Sequence, residues 1–483
     1  MSEYKVPVSE YLNKHQLQKL IEDAVNQCYK TQSSNPTAFM ASFFSQKTNS
    51  TAIHRVVGRE VLDSRGNPTV EADIYLADGK LAGRASAPSG ASTGSNEAHE
   101  LRDTEDKKRY HGKGVQKAVS NVSGPLSDAL KGKNVDNLRE CDLAMREKDG
   151  TELKTNLGGN AITAASFAVA TAGASVMNEE LFLYLARNYD QSDNIHSRTF
   201  KCPTPLVNIL NGGKHAGGRL KIQEFMIVPS SEISFKEQLR TVTEVYHTLG
   251  GILSKACGKS AKNLGDEGGY APSLENPNEA LAYIKQAIEE AGYTPGRDVF
   301  LALDAAASEF YDKETNKYEI IEGQHITSEA LVDFYEKMVD DYPFFLSIED
   351  GLDEKDYEGW KKMTERLGSR IMIVGDDLYT TNTRLIKEGI ENKWANALLL
   401  KVNQIGTISE SMDAARMIQN ADQNVIVSHR SGETGTNIIA DLAVAIGAKY
   451  IKTGAPARGE RVGKYNRLLQ IEEYLKDNNL LKQ

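Results

Sequence analysis

Short apolar runs, each ending on a charged or ionisable residue, recur along the second half of the chain. Val299-Phe-Leu-Ala-Leu closes on Asp304, Phe344-Phe-Leu-Ser-Ile on Glu349, and Ile371-Met-Ile-Val-Gly on Asp376. Ala397-Leu-Leu-Leu closes on Lys401, Val425-Ile-Val-Ser on His429, and Tyr450-Ile on Lys452. After a first interval of 45 residues the spacings are 27, 25, 28 and 23, which suits a strand and a crossover helix, repeated. Unalternating apolar runs of this length mark parallel strands covered on both faces. Ionisable groups at the carboxyl ends of successive parallel strands are how a barrel of this kind assembles a site. The pattern predicts an α/β fold with a (β/α)8 TIM-type barrel over 198–483.

Upstream the period changes. A strand pattern begins at Ile53, turns at Asp63-Ser-Arg-Gly-Asn-Pro68, continues from Thr69 to Tyr75 and meets a hairpin turn at Asp78-Gly79. The small-residue loop Ala87 to Gly94 offers hydroxyls and a pliant backbone, as a lid over an anionic ligand requires. Residues 96 to 190 read as mostly helical, so 53–195 is expected to form an α+β domain capping the barrel. In residues 1–50, Leu17, Leu20, Ile21, Ala24, Val25 and Cys28 recur at helical spacing. Asn35-Pro36 then reads as the cap and first residue of a second helix carrying Phe39, Met40, Phe43 and Phe44. Two short amphipathic helices cannot bury these faces alone. The extension resembles helical dimerisation-and-docking motifs, which implies packing on the main body or on a partner.

Composition narrows the class. With 40% hydrophobic and 26% charged residues in 483, the chain is globular and long enough for two domains. A net charge of −10 argues against nucleic acid as a main partner. Cys28, Cys141, Cys202 and Cys257 are far apart, with neither a disulfide framework nor a zinc spacing, which suits a reducing compartment. No apolar run approaching the roughly 20 residues of a membrane span is expected. The acidic N-terminus argues against a transit peptide, and a cytoplasmic location follows.

Three strand-end carboxylates without histidine or cysteine make a hard oxygen site, which suits Mg²⁺. Lysines beside such a site neutralise an anionic substrate or act as a base with a lowered pKa. Removing a proton α to a carboxylate creates a dianionic enolate, and two Mg²⁺ ions with a nearby cation make that accessible. Two glycine-rich loops, Asn211 to Gly218 and Gly265 to Gly269, add His215 and Glu267, with Glu224 close by in sequence.

The segments Asp63-Ser-Arg-Gly-Asn-Pro68, Ser89-Gly-Ala-Ser-Thr-Gly94, Gly-Gly-Lys-His215-Ala-Gly-Gly and Gln223-Glu224-Phe-Met resemble enolase. So do Gly-Asp-Glu267-Gly-Gly, Ser-Ile-Glu349-Asp, Leu-Leu-Leu-Lys401-Val-Asn-Gln-Ile-Gly, Ser428-His-Arg-Ser-Gly-Glu-Thr434 and Ile-Lys452-Thr-Gly-Ala-Pro-Ala-Arg458. The likeness runs from about residue 53 to the end and leaves the N-terminal extension outside it. It implies a lyase that interconverts 2-phosphoglycerate and phosphoenolpyruvate with two Mg²⁺ per site, usually as a homodimer. Lys401 would be the general base at C2. Glu267 would be the general acid for the C3 hydroxyl, with Glu224 and His215 beside it. Asp304, Glu349 and Asp376 would hold the first Mg²⁺ against the substrate carboxylate, and Ser92 would reach the second as the lid closes. Lys452 would add charge at the carboxylate, while Ser428, His429, Arg430 and Ser431 would hold the phosphate. Gly435-Thr436 stands where the family usually carries two acids, and Asn96 where it carries His or Arg. Competing readings are another superfamily member acting on a different carboxylate, and an enolase-fold scaffold whose N-terminal helices do the work. A docking extension on such an enzyme would suit attachment to a cytoskeletal or ciliary assembly.

Overall fold

The computed structural model describes residues 7–48, 51–91, 94–192, 195, 198–216 and 219–482. The side chains of Ser42, Ser45 to Thr48, Lys214 and His215 fall outside that description, as do Ser92 and Thr93 entirely.

Eight strands form a closed barrel: Thr204–Asn211, Glu224–Pro229, Val299–Asp304, Phe345–Glu349, Met372–Gly375, Ala397–Leu400, Asn424–Ser428 and Tyr450–Lys452. Ring closure pairs the last strand with the first, Tyr450 opposite Thr204 and Lys452 opposite Leu206. Alternate residues fill the interior, among them Leu206, Met226, Val228, Val374, Leu399 and Ile426. The barrel is therefore a packed core closed by apolar side chains below its carboxyl-end face.

The first turn of the barrel departs from a regular β/α repeat. Glu224–Pro229 runs antiparallel to both neighbours, and two helices, Phe235–Ala256 and Pro277–Glu290, follow it before the third strand. The long 45-residue interval holds a three-stranded sheet, Tyr311–Asp312, Lys317–Ile321 and Gln324–Ile326, ahead of helix Ser328–Asp341.

The preceding domain is a three-stranded antiparallel sheet, Ile53–Leu62, Pro68–Leu76 and Leu81–Ser86, backed by helices. Residues expected to be helical from 96 form, as far as 115, loops and one short 3-10 turn at Tyr110–Gly112, and His99, Glu100, Arg102 and Lys113 line a cavity. Helix Gly159–Met177 is, against expectation, long and apolar enough to match a membrane span. It is almost wholly buried and serves as the domain's core. Its backbone lies so close to the sheet that a Cβ on Gly83 would sit 2.3 Å from the Ala168 carbonyl oxygen.

The N-terminal extension has three helices rather than two: Val8–Lys14, Leu17–Thr31 and Pro36–Thr48. Asn35 Oδ1 accepts from Ala38 N at 3.1 Å, the capping role its sequence position implies. Ala24 and Cys28 are buried between these helices, whereas Ile21, Val25 and Tyr29 are exposed.

Candidate active site

Strand register places three acids side by side. Asp304 ends the third barrel strand and pairs with Glu224 on one side and Glu349 on the other. Glu224 joins this row from the first position of its strand, because that strand runs the opposite way. Lys452, from the closing strand across the barrel, reaches all three, at 3.2 Å from Glu224, 3.0 Å from Asp304 and 2.9 Å from Glu349. All four side chains are buried. Burial alone would push the Lys452 ammonium down; the charges of Asp304, Glu224 and Glu349 outweigh it and hold it well above its ordinary range. Glu349 is raised as well, by burial and then by the Asp304 charge, which for an acid favours the neutral form.

A second cluster lies beside the first. Asp350 accepts backbone N–H bonds from Asp376 and Asp377, each at 2.9 Å. Asp376 is ion-paired to Lys401, and its other oxygen accepts from Gln404 Nε2 at 2.8 Å. Burial opposes its ionisation, but the Lys401 ammonium prevails and Asp376 lies below the usual carboxylate range. Lys401 is accordingly raised, not lowered as the sequence allowed, because the Asp376 charge overcomes its burial. Asp350 and Asp377 are pushed well up by burial and by their neighbours' charges.

The third part is formed by loops. Glu267, on the connection between the two helices after the second strand, accepts from Asn208 Nδ2 at 3.2 Å and lies 3.2 Å from His429 Nε2. Burial, then the Glu267 charge, raise Glu224 well above the ordinary range, so this acid pair favours holding a proton. Arg430 binds Glu97 at 2.8 Å and Asn403 Oδ1 at 3.1 Å. Ser428 Oγ donates to the His429 carbonyl at 3.0 Å, and Ser431 Oγ accepts from Ala91 N at 2.9 Å. Gly432 exchanges backbone bonds with Ser89, and a Cβ there would meet Arg65 and Asp63 within 2.5 Å. The two domains thus meet through backbone where no side chain fits.

One cavity gathers these groups: Glu97, Glu224, Glu267, Asp304, Asp350, Asp376, Asp377, Lys401, Ser428, His429, Arg430, Ser431 and Lys452. A wider vestibule of about 700 Å³ adjoins it at Ala91 and Glu97 and is lined by Arg65, His99, Arg102 and Lys113. Seven carboxylates against three cations line the inner cavity. The neighbouring carboxylates Asp350, Asp376 and Asp377 offer oxygen donors only, and the crowding of negative charge that pushes Asp350 and Asp377 up fits a hard divalent cation.

The expected ligand set is not drawn to one point, however. Asp304 and Glu349 converge on Lys452, whose ammonium stands among them, and Glu349 does not line the cavity. Among the described residues, the carboxylate oxygens that approach one another within 4.8 Å belong to Asp350, Asp376 and Asp377. Of the other expected residues, Ser92 lies outside the described residues. His215 belongs to the short helix Gly213–Ala216, and its side chain lies outside them. Sequence reasoning missed Glu97, Asn208, Asn403 and Gln404 as partners of the site. Asn403 and Gln404 sat in plain view two and three residues beyond Lys401, where the short helix Val402–Ile405 turns them inward.

Acids and lysines delivered by successive strand ends to one cavity, beneath a separate α+β domain, define a barrel enzyme of acid–base chemistry. Comparison with known families agrees and goes further. Residues 53–185 match the model of the enolase N-terminal domain, and residues 199–482 match that of the enolase C-terminal TIM barrel domain. The chain belongs to the enolase family, whose members are lyase-type enzymes acting on small molecules.

Proposed function

We propose that the protein catalyses the reversible, Mg²⁺-dependent dehydration of 2-phosphoglycerate to phosphoenolpyruvate, as in glycolysis and gluconeogenesis. The observation that carries the reading is the presence, in one buried cavity, of a lysine base (Lys401), a proton-holding acid pair (Glu224 and Glu267) and an arginine–serine corner (Arg430 and Ser431). An unphosphorylated acid would leave that corner without a purpose.

Lys401 Nζ takes the C2 proton in the forward direction and returns it in reverse. Its pair with Asp376 favours the ammonium, so the amine becomes available only when the Asp376 charge is engaged elsewhere. Glu267 gives its proton to the departing C3 hydroxyl, and Glu224, which shares a hydrogen bond with it, replenishes it. Lys452 faces the substrate carboxylate, where negative charge grows as the proton leaves. Arg430 exchanges Glu97 for the phosphate, a better bidentate partner for a guanidinium. Asp376, joined by Asp304 and Glu349 once Lys452 turns from them to the substrate, would hold Mg²⁺, which supplies charge against the developing dianion.

The test is conversion of 2-phosphoglycerate followed by ultraviolet absorbance, with Mg²⁺, with EDTA, and with Lys401→Ala. Loss of a general base should cost about 10²–10⁴-fold. Absence of turnover by folded, Mg²⁺-loaded protein would sink the reading and favour the scaffold alternative.

We also propose that residues 1–50 form a docking or dimerisation element on a cytoplasmic homodimer. Support comes from Ile21, Val25 and Tyr29, exposed along one helix while Ala24 and Cys28 are buried. Full-length protein and a variant lacking residues 1–50 should then differ in mass or partner capture. Identical mass and no partner lost on truncation would count against it.

A further inference from the structure

We propose that Arg461 is a positioning residue that fixes His429 in a single neutral tautomer, with its proton on Nε2, the ring nitrogen that lies beside Glu267. Arg461 is the third residue of helix Gly459–Asp477 and is completely buried. Its Nη1 lies 2.6 Å from His429 Nδ1 and 2.6 Å from the Arg430 carbonyl. Its Nη2 donates to the Ser431 carbonyl at 2.7 Å and to the Asp266 carbonyl at 3.3 Å. A guanidinium has donors only and does not deprotonate in a protein. Opposite it, His429 Nδ1 can act only as an acceptor, which leaves the ring's proton on Nε2. That nitrogen is 3.2 Å from Glu267 Oε2.

The same four contacts tie the loop carrying Glu267 to the loop carrying His429, Arg430 and Ser431. Gly454 completes the junction. A Cβ there would lie 2.7 Å from the Glu267 carbonyl, 3.1 Å from Arg461 Cδ and 3.1 Å from His429 Cε1. The charged groups facing the imidazole are Glu267 and Glu433, which favour the imidazolium, and Arg461, which opposes it. Burial is the largest influence, and with Arg461 it lowers His429 to about 4. The ring therefore stays a neutral Nε2–H donor through the neutral pH range.

The tautomer assignment stands on geometry alone; its consequence for turnover rests on the function proposed above. The experiment is ¹⁵N solid-state NMR of the whole protein labelled at histidine, with the His429 signal assigned by its loss in His429→Gln. The wild type should show a protonated Nε2 and an unprotonated Nδ1 at pH 6 and at pH 8. A protonated Nδ1, or an imidazolium, would overturn the proposal even if the enzyme were fully active. Arg461→Met should release the ring, giving averaged nitrogen shifts and at least tenfold lower kcat with 2-phosphoglycerate. Arg461→Lys, which keeps a donor, should retain the Nε2–H signature. An Arg461→Met protein with unchanged His429 signals would show that the arginine only clips carbonyls together. If that variant does not fold, the wild-type spectrum and the lysine variant still decide.

Discussion

Asp142 is a buried acid in helix Leu138–Asp149, outside the strand-end cavity. Its Oδ2 accepts from Ser409 N at 3.0 Å and from Ser409 Oγ at 2.6 Å, bonding the capping domain to a barrel helix. Among the described residues no cation pairs with it. Burial, moderated by the Ser409 and Ser166 hydrogen bonds, raises its pKa from 3.8 to about 6. The folded protein thus binds this proton more tightly than the unfolded chain does. The resulting stability is fully present below pH 3.8 and is lost as pH rises through about 6. Two pH units at about 1.4 kcal/mol each give a penalty of up to about 3 kcal/mol at pH 8. Asp142→Asn keeps one oxygen for both Ser409 bonds and puts its amide nitrogen at the Oδ1 position, which has no hydrogen-bond partner among the described residues, without a charge to bury. It should raise stability by about 2–3 kcal/mol at pH 8 and by almost nothing at pH 4. Urea midpoints at pH 4, 6 and 8 measure this directly. A variant less stable than wild type at pH 8, by a margin independent of pH, would refute the reasoning. The hydrogen bonds of the charged form would then outweigh its burial.

Three further outcomes are expected. Lys452→Met strands Glu224, Asp304 and Glu349 without their shared cation and should cost about 3–5 kcal/mol in urea denaturation, besides abolishing turnover. Mg²⁺ at 100 times its Kd should stabilise the wild type by about 2.7 kcal/mol, and Asp376→Asn should reduce that shift when both are melted with Mg²⁺ and with EDTA. Gly454→Ala, at φ +81° and with its Cβ 2.7 Å from the Glu267 carbonyl, should lower kcat at least tenfold in the absorbance assay while KM changes less.

Six barrel strands could be read from the sequence because each apolar run ends on its functional residue. The other two could not, for a physical reason. Glu224–Pro229 runs antiparallel, so its acid comes first, and a search for runs that end on charge passes over it. Thr204–Asn211 carries Pro205, Asn208 and Asn211, which look like loop chemistry until the strand is seen fully buried. Strand-end residues such as Asp304, Asp376, Lys401 and Lys452 could be picked out one by one, but Glu97, Asn208, Asn403 and Gln404 could not, nor could the contacts among them. Nothing in the order of the chain says that Lys452 will stand between Asp304 and Glu349, and this decides where a cation has to compete. Arg461 and Asp142 were invisible because charges within amphipathic helices ordinarily face water. The extension's apolar stripe was legible, but only half of it is covered by the chain's own helices.

The pairing of the last barrel strand with the first also bears on how the protein is made. The chain emerges from the ribosome amino end first, so Glu224, Asp304 and Glu349 are all synthesised before residue 452 exists. Until then these neighbouring acids have no common counter-charge, and burying them favours the protonated forms, as it does for Glu224 and Glu349 in the finished fold. Tyr450–Lys452 ends that state in one event, completing the hydrogen-bonded circle and delivering the ammonium to the acids. Ring closure and charge neutralisation are the same step, so a nascent chain stopped short of residue 452 has neither.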